Sequence, residues 1–172
     1  MRTPLNIAVL LFAILLPLST EIRAQPAVRS ENQFLYNEAL RASLENMNRE
    51  WGNLNLTERG TRAPIDFHNV IVRKNPAITD GLNSRFGEYH VQYLDDASII
   101  VRWKRLRKQF AILAVQPVDR SEGRLRITVG LVWVRYRRAN LSFAIDSWAD
   151  VYFRIDATNQ KYIVDNVKLA GV

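Results

Sequence analysis

The spacing of apolar side chains changes its period once along the chain, and that change sets the expected architecture. Tyr36, Leu40, Leu44, Met47 and Trp51 recur at helical steps, which stacks them on one face, while Glu38, Arg41, Glu45 and Arg49 fall elsewhere and can pair at i+3 or i+4. Ser30 followed by Gln33 reads as a capping box. A helix is therefore predicted over about 31–51, ended by Gly52, with its apolar stripe turned to the core. Its polar face is not predominantly basic, unlike that of most membrane-surface helices. Residues 53–65 are polar with Gly60 and Pro64, a loop pattern.

Beyond the loop the period becomes two. Segments 67–73, 88–94, 97–115, 124–137, 141–155 and 161–169 are rich in Val, Ile, Tyr, Phe and Trp and read as strands. Turn residues fill the breaks at 95–96, 117–123, 138–140 and 156–160, and residues 76–87 read as a short helix and a loop. Short breaks favour antiparallel hairpins, because a parallel return needs a crossover of about a dozen residues or more. The fold class this predicts is α+β: an N-terminal amphipathic helix packed on a strongly curved antiparallel meander, all in one domain spanning 25–172. Pairing through 156–160 sets Ala149, Val151, Phe153 and Ile155 against Ile163, Val167 and Leu169, and places Asp165 on that same apolar side. A carboxyl in such a setting rises in pKa and can act as a general base, so Asp165 is the candidate catalytic residue. A one-residue register shift would instead put it at the surface.

Residues 1–24 are set apart from the fold. Arg2, an apolar run of ten residues from Ile7 to Leu16, Pro17 and then Ile22-Arg23-Ala24 carry the parts of a secretory signal in order. The run is short of the roughly 20 residues a spanning helix needs. Cleavage is expected after Ala24, which makes the mature protein secreted or periplasmic; an uncleaved tether is the alternative, because Ile22 departs from the small-residue pattern. The absence of cysteine excludes disulfides, thiolate metal sites and a cysteine nucleophile. The two histidines, His68 and His90, fall at solvated strand positions. No G-x-S-x-G, P-loop, G-x-G-x-x-G or H-E-x-x-H is present, and neither a metal nor a cofactor is expected.

Charge adds the sharpest signal. The chain has 24 Lys and Arg against 17 Asp and Glu, a formal net charge of +7. Between Arg102 and Arg138 lie eleven cations and two acids, Asp119 and Glu122. The rest of the chain after Ala24 has 11 cations and 14 acids. The density peaks at Arg102, Trp103, Lys104, Arg105, Arg107 and Lys108, and again at Arg135, Tyr136, Arg137 and Arg138. If 97–115 is one long strand, pairing Gln116 with Arg124 sets Arg105 opposite Arg135 and Trp103 opposite Arg137. If 104–108 is a turn, it shares an end of the meander with the 138–140 turn. Either topology joins the two peaks. Guanidinium forks suit phosphate and carboxylate, and aromatic faces add cation–π contacts. The ten residues are thus the expected binding site for an anionic partner: phospholipid head groups, lipopolysaccharide phosphate or an acidic glycan. The competing reading is a solvated basic face. Nucleic acid is disfavoured, since no recognised binding motif accompanies the basic–aromatic mixture.

The final stretch, Trp148-Ala149-Asp150-Val151-Tyr152-Phe153-Arg154-Ile155 followed by Lys161-Tyr162-Ile163-Val164-Asp165-Asn166-Val167-Lys168-Leu169, resembles the cone-shaped nuclear-transport-factor-like superfamily, and more loosely the cystatin-like fold. The likeness covers about the last 50 residues and is a pattern rather than a motif. It implies a helix-filled cone of sheet and a function as either a noncatalytic binding or assembly domain or a small isomerase or dehydratase. It transfers no site residue. Members usually have two or three helices before the sheet, and only one is evident here. Three functions follow: an exported noncatalytic binding or envelope-assembly module, a small pocket enzyme using Asp165, and an assembly subunit that forms a homodimer through its sheet.

Overall fold

The computed structural model describes residues 26–52, 65–121 and 123–171. The expected signal over 1–24 lies outside the described residues, as does all but the last residue of the expected 53–65 loop. The chain is α+β, with helices on a seven-stranded, mostly antiparallel sheet. Helix α1 (Pro26–Trp51) comes first. Strand β1 (Asn69–Arg73), the short helix α2 (Pro76–Thr79), β2 (Arg85–Phe86) and β3 (Tyr89–Leu94) follow. Helix α3 (Asp96–Leu106) leads into β4 (Ala111–Val115), β5 (Leu125–Arg137), β6 (Asn140–Asp156) and β7 (Lys161–Gly171).

The order across the sheet is β2-β3-β1-β4-β5-β6-β7. From β4 onward neighbours are antiparallel, but β1 runs parallel to both β3 and β4. This corrects the all-antiparallel meander. The link from β3 to β4 passes through α3, long enough to supply the crossover a parallel arrangement requires. The segment 97–115 is therefore neither one long strand nor two strands about a turn at 104–108; its first half is helical. Asp95 starts that helix: it caps the end, its side chain accepting from the Ser98 N–H at 2.8 Å. The β4–β5 register also differs from the expected one. Val115 lies opposite Val129, and the Gln116 N–H donates to the Thr128 carbonyl rather than facing Arg124.

Helix α1 buries Leu35, Leu40, Leu44 and Met47 against one sheet face, where Val72, Leu113, Ile127, Val129, Ala149 and Val151 meet them. It begins at Pro26, upstream of Ser30, and the Gln33 amide donates to the Asp80 carbonyl at 3.1 Å rather than serving the expected capping box. The opposite face has a core of its own, in which Ile99 of α3 packs among Ile71, Phe110, Ile112, Val132 and Val134. Helices thus lie on both faces instead of one.

Two irregularities flip side chains between faces. The β5–β6 ladder pairs Leu131 with Ser147 but Val132 with Ile145, leaving Asp146 as an extra residue. The β6–β7 ladder pairs Tyr152 with Asn166 but Phe153 with Val164, leaving Asp165 as the extra one. A bulge of this kind bends the strand and shifts its alternation by one. Leu141 and Phe143 consequently pack on the α3 side, while Ala149 and Val151, an even number of residues further on, face α1.

Candidate functional site

Helix α3 and the far end of β5 bring the two cationic segments together. Helix α3 ends at Arg107, whose backbone is left-handed (φ 54°) and whose N–H donates to the Trp103 carbonyl. That turn directs the chain into β4, and the Val134 N–H donating to the Phe110 carbonyl holds the start of β4 beside the end of β5. The Trp103 ring meets the Tyr136 ring edge-on at 5.6 Å, and the Lys104 ammonium lies 5.7 Å from the Tyr136 centroid. A shallow cavity of about 330 Å3 is lined by Trp103, Arg107, Lys108, Gln109, Arg135, Tyr136 and Arg137. The joining expected from the charge pattern is present, by a helix-to-strand route rather than by either strand route.

Three of the ten expected residues stand outside this cavity apart from Lys104. Arg105 and Arg138 are exposed on its margin in sequence, at the helix end and the hairpin tip. Arg102 turns the other way, its guanidinium 5.8 Å from the Phe110 ring and lining a separate apolar cavity of about 290 Å3. Gln109 was not anticipated, because its role depends on the turn after α3.

The electrostatics set this end apart. Among the described residues none of Arg102, Lys104, Arg105, Arg107, Lys108, Arg135, Arg137 or Arg138 has an ion-pair partner, whereas Arg41, Arg73, Arg120, Arg126 and Arg154 each hold a carboxylate. Across the β5–β6 ladder Arg135 faces Ser142 and Arg137 faces Asn140, so the neighbouring strand supplies no acid. Uncompensated cations side by side on a sheet repel one another, and solvation or a bound anion relieves that. The loop joining β5 to β6 is also strained: both Arg138 (φ 49°) and Ala139 (φ 63°) are left-handed, in a two-residue hairpin position that usually takes Asn-Gly.

Carboxylates cluster at the other end of α3. Arg73 grips Asp96 with two bonds of 2.8 and 2.7 Å and stacks 4.4 Å from the Phe143 ring. Bonding to Asp96 holds the Arg73 guanidinium above its ordinary pKa. Hydrogen bonds from Ser98 hold the Asp95 carboxyl below the usual range. With acids at the start and cations at the end, α3 has its charges aligned with its own dipole.

Asp165 does not occupy the apolar setting expected of it. Its bulge turns it outward, its side chain is 51% exposed, and its Oδ1 lies 3.1 Å from Arg154 Nε. Val167 and Leu169 do pair opposite Val151 and Ala149, but Ile163 pairs with Arg154 because the register has slipped by one. No Asp or Glu among the described residues is buried. His68 stacks on Tyr89 at 5.5 Å and His90 is exposed. Among the described residues no group of three His, Asp or Glu is placed to hold a metal ion. No family model matches the chain, no curated protein matches its sequence, and no solved structure matches its fold.

Proposed function

We propose that the protein is an exported, noncatalytic binding or envelope-assembly module that engages an anionic surface or polymer through the cationic end of the sheet. One observation carries the reading: five cations without ion-pair partners among the described residues, Lys104, Arg107, Lys108, Arg135 and Arg137, gather where α3 meets the end of β5, around the Trp103–Tyr136 pair. Aromatic faces beside guanidinium forks suit phosphate or carboxylate on a crowded anionic surface. Export rests on the order of Arg2, the apolar run and Ala24. Among the described residues no helix is long and apolar enough to cross a membrane. The pocket-enzyme alternative draws no support from Asp165, which is exposed and bonded to Arg154.

The reading extends to a strongly curved sheet around an N-terminal helix and to kinship with the nuclear-transport-factor-like superfamily. The bulges at Asp146 and Asp165 support the curvature, since such insertions bend long strands. The parallel β1–β3 and β1–β4 ladders depart from the expected meander.

Co-sedimentation with vesicles of phosphatidylglycerol against phosphatidylcholine, and retention on heparin chains, test the proposal at about 0.05 and 0.5 M salt. Binding to the anionic supports is expected at low salt and is expected to collapse at high salt as screening shortens the reach of the charges. Reversing Arg135 and Arg137 together (R135E/R137E) is expected to weaken vesicle binding by about thirtyfold or more. No binding by the unaltered protein at low salt, or undiminished vesicle binding by the double variant, refutes it.

A further inference from the structure

The opposite end of β5 has a groove that the cationic end does not share. From Leu125 to Arg137 the strand spans roughly 40 Å at about 3.3 Å per residue, so the two regions are separate. The groove measures about 730 Å3, within the roughly 300–1,000 Å3 range of small-ligand sites. Its working residues are Arg124, Tyr152, Arg154, Asp165, Asn166 and Lys168.

The bulge builds it. Placing an extra residue in β7 brings Asp165 to Arg154 at 3.1 Å and fixes both side chains on the wall. Next to them Tyr152 and Asn166 are direct cross-strand partners. The Lys168 ammonium lies 5.4 Å from the Tyr152 centroid, and neither Lys168 nor Arg124 has an ion-pair partner among the described residues. Tyr162 adds a second ring to the groove lining.

This mixture differs from the cationic end. A site for phosphate alone needs donors and positive charge, and a carboxylate in its wall works against it. Here a carboxylate and an amide stand among the cations, beside two aromatic rings. A ring bearing several hydroxyls and one acidic group is the ligand class that uses all of these: an apolar ring face for tyrosine, hydroxyl donors for Asp165, hydroxyl acceptors for Asn166, and an anion for Arg124 and Lys168. We propose that this groove is a subsite for an acidic saccharide, carrying carboxylate or sulfate, with Tyr152 as its platform and Arg124 and Lys168 as its anion contacts. The site uses no residue of the cationic end and does not depend on the function proposed for it.

Titration with a sulfated, uronate-containing heparin disaccharide tests this, with maltose and inorganic sulfate as comparison ligands and amide shifts in NMR spectra as the readout. Saturable disaccharide binding is expected, with shifts centred on Tyr152, Asn166 and Lys168, while maltose and sulfate each bind at least tenfold more weakly. Tyr152→Ala and, separately, the exposed Lys168→Glu are each expected to weaken the disaccharide about tenfold, and R135E/R137E is expected to leave it unchanged. Lys168→Glu keeps the test sound if Tyr152→Ala unfolds. Absence of saturable binding overturns the proposal, as does sulfate or maltose binding as tightly as the disaccharide, or sensitivity to R135E/R137E without sensitivity to Lys168→Glu.

Discussion

Replacing Ile99 and Val101 separately by alanine distinguishes a docked helix from a strand over 96–106. In a strand the two side chains share a face; in a helix they stand about 200° apart. Ile99 is 0% exposed and sits in the core between α3 and the sheet, while Val101 is 67% exposed. Ile99→Ala removes three buried carbon atoms, about 2.4 kcal/mol at roughly 0.8 kcal/mol each, and leaves a cavity among Phe110, Ile112 and Val132, for a total of about 3–4 kcal/mol. At about 2–4 °C per kcal/mol for a domain of this size, the thermal midpoint falls by roughly 6–16 °C. Val101→Ala changes stability by less than about 0.5 kcal/mol, and the better helix propensity of alanine favours a slight gain. Urea unfolding followed by far-UV circular dichroism gives both values. Equal losses at the two positions would mean that they share a buried face, and a loss below about 1 kcal/mol for Ile99→Ala would mean that α3 is not docked; either result refutes the architecture described.

The hairpin tip and the helix cap give further expectations. Ala139→Gly removes a left-handed penalty of about 1–2 kcal/mol against a glycine entropy cost of about 0.5–1 kcal/mol, so thermal unfolding should show a net gain of about 0.5–1 kcal/mol; a loss would mean the tip is not left-handed. Asp95→Ala removes the α3 cap and is expected to lower the thermal midpoint at neutral pH by a few degrees. Because folding depresses the Asp95 pKa below its ordinary 3.8, its contribution is present above that value and is lost as pH falls through the folded value. The midpoints of the unaltered and Asp95→Ala proteins should therefore draw together progressively as pH falls below about 4, and a difference that does not narrow at all on acidification counts against the cap.

The α+β class, most strand positions and the meeting of the cationic segments were legible in the sequence, because each is written in local periodicity or in charge density. The apolar positions of α1 and the alternation of Ala149, Val151 and Phe153 point to the same core that the structure builds. Helix α3 was not legible, although its signals are local. Asp95 is a good cap, and Ile99, Trp103 and Leu106 recur at helical steps, but the β-branched run Ile99-Ile100-Val101 resembles a strand, and Arg107 ends the helix where glycine would normally mark the stop. Packing on the sheet overrides the weak local preference here. It also supplies the crossover that lets β4 run parallel to β3 and to the β1 strand between them.

By itself the sequence determined where apolar and charged side chains concentrate, since those follow from residue identity and spacing alone. The tertiary structure decided how each strand is aligned with the next. A single extra residue at Asp165 reverses which side of β7 meets water, and no local pattern encodes it, because the bulge is stabilised by the two-strand ladder and the core beneath. That one insertion moves Asp165 from the expected apolar pocket to the groove beside Arg154. The cationic segments meet under either a strand or a helix before β4, because β4 starts beside the last residues of β5, which puts the turn after α3 and the β5–β6 hairpin at the same end of the sheet.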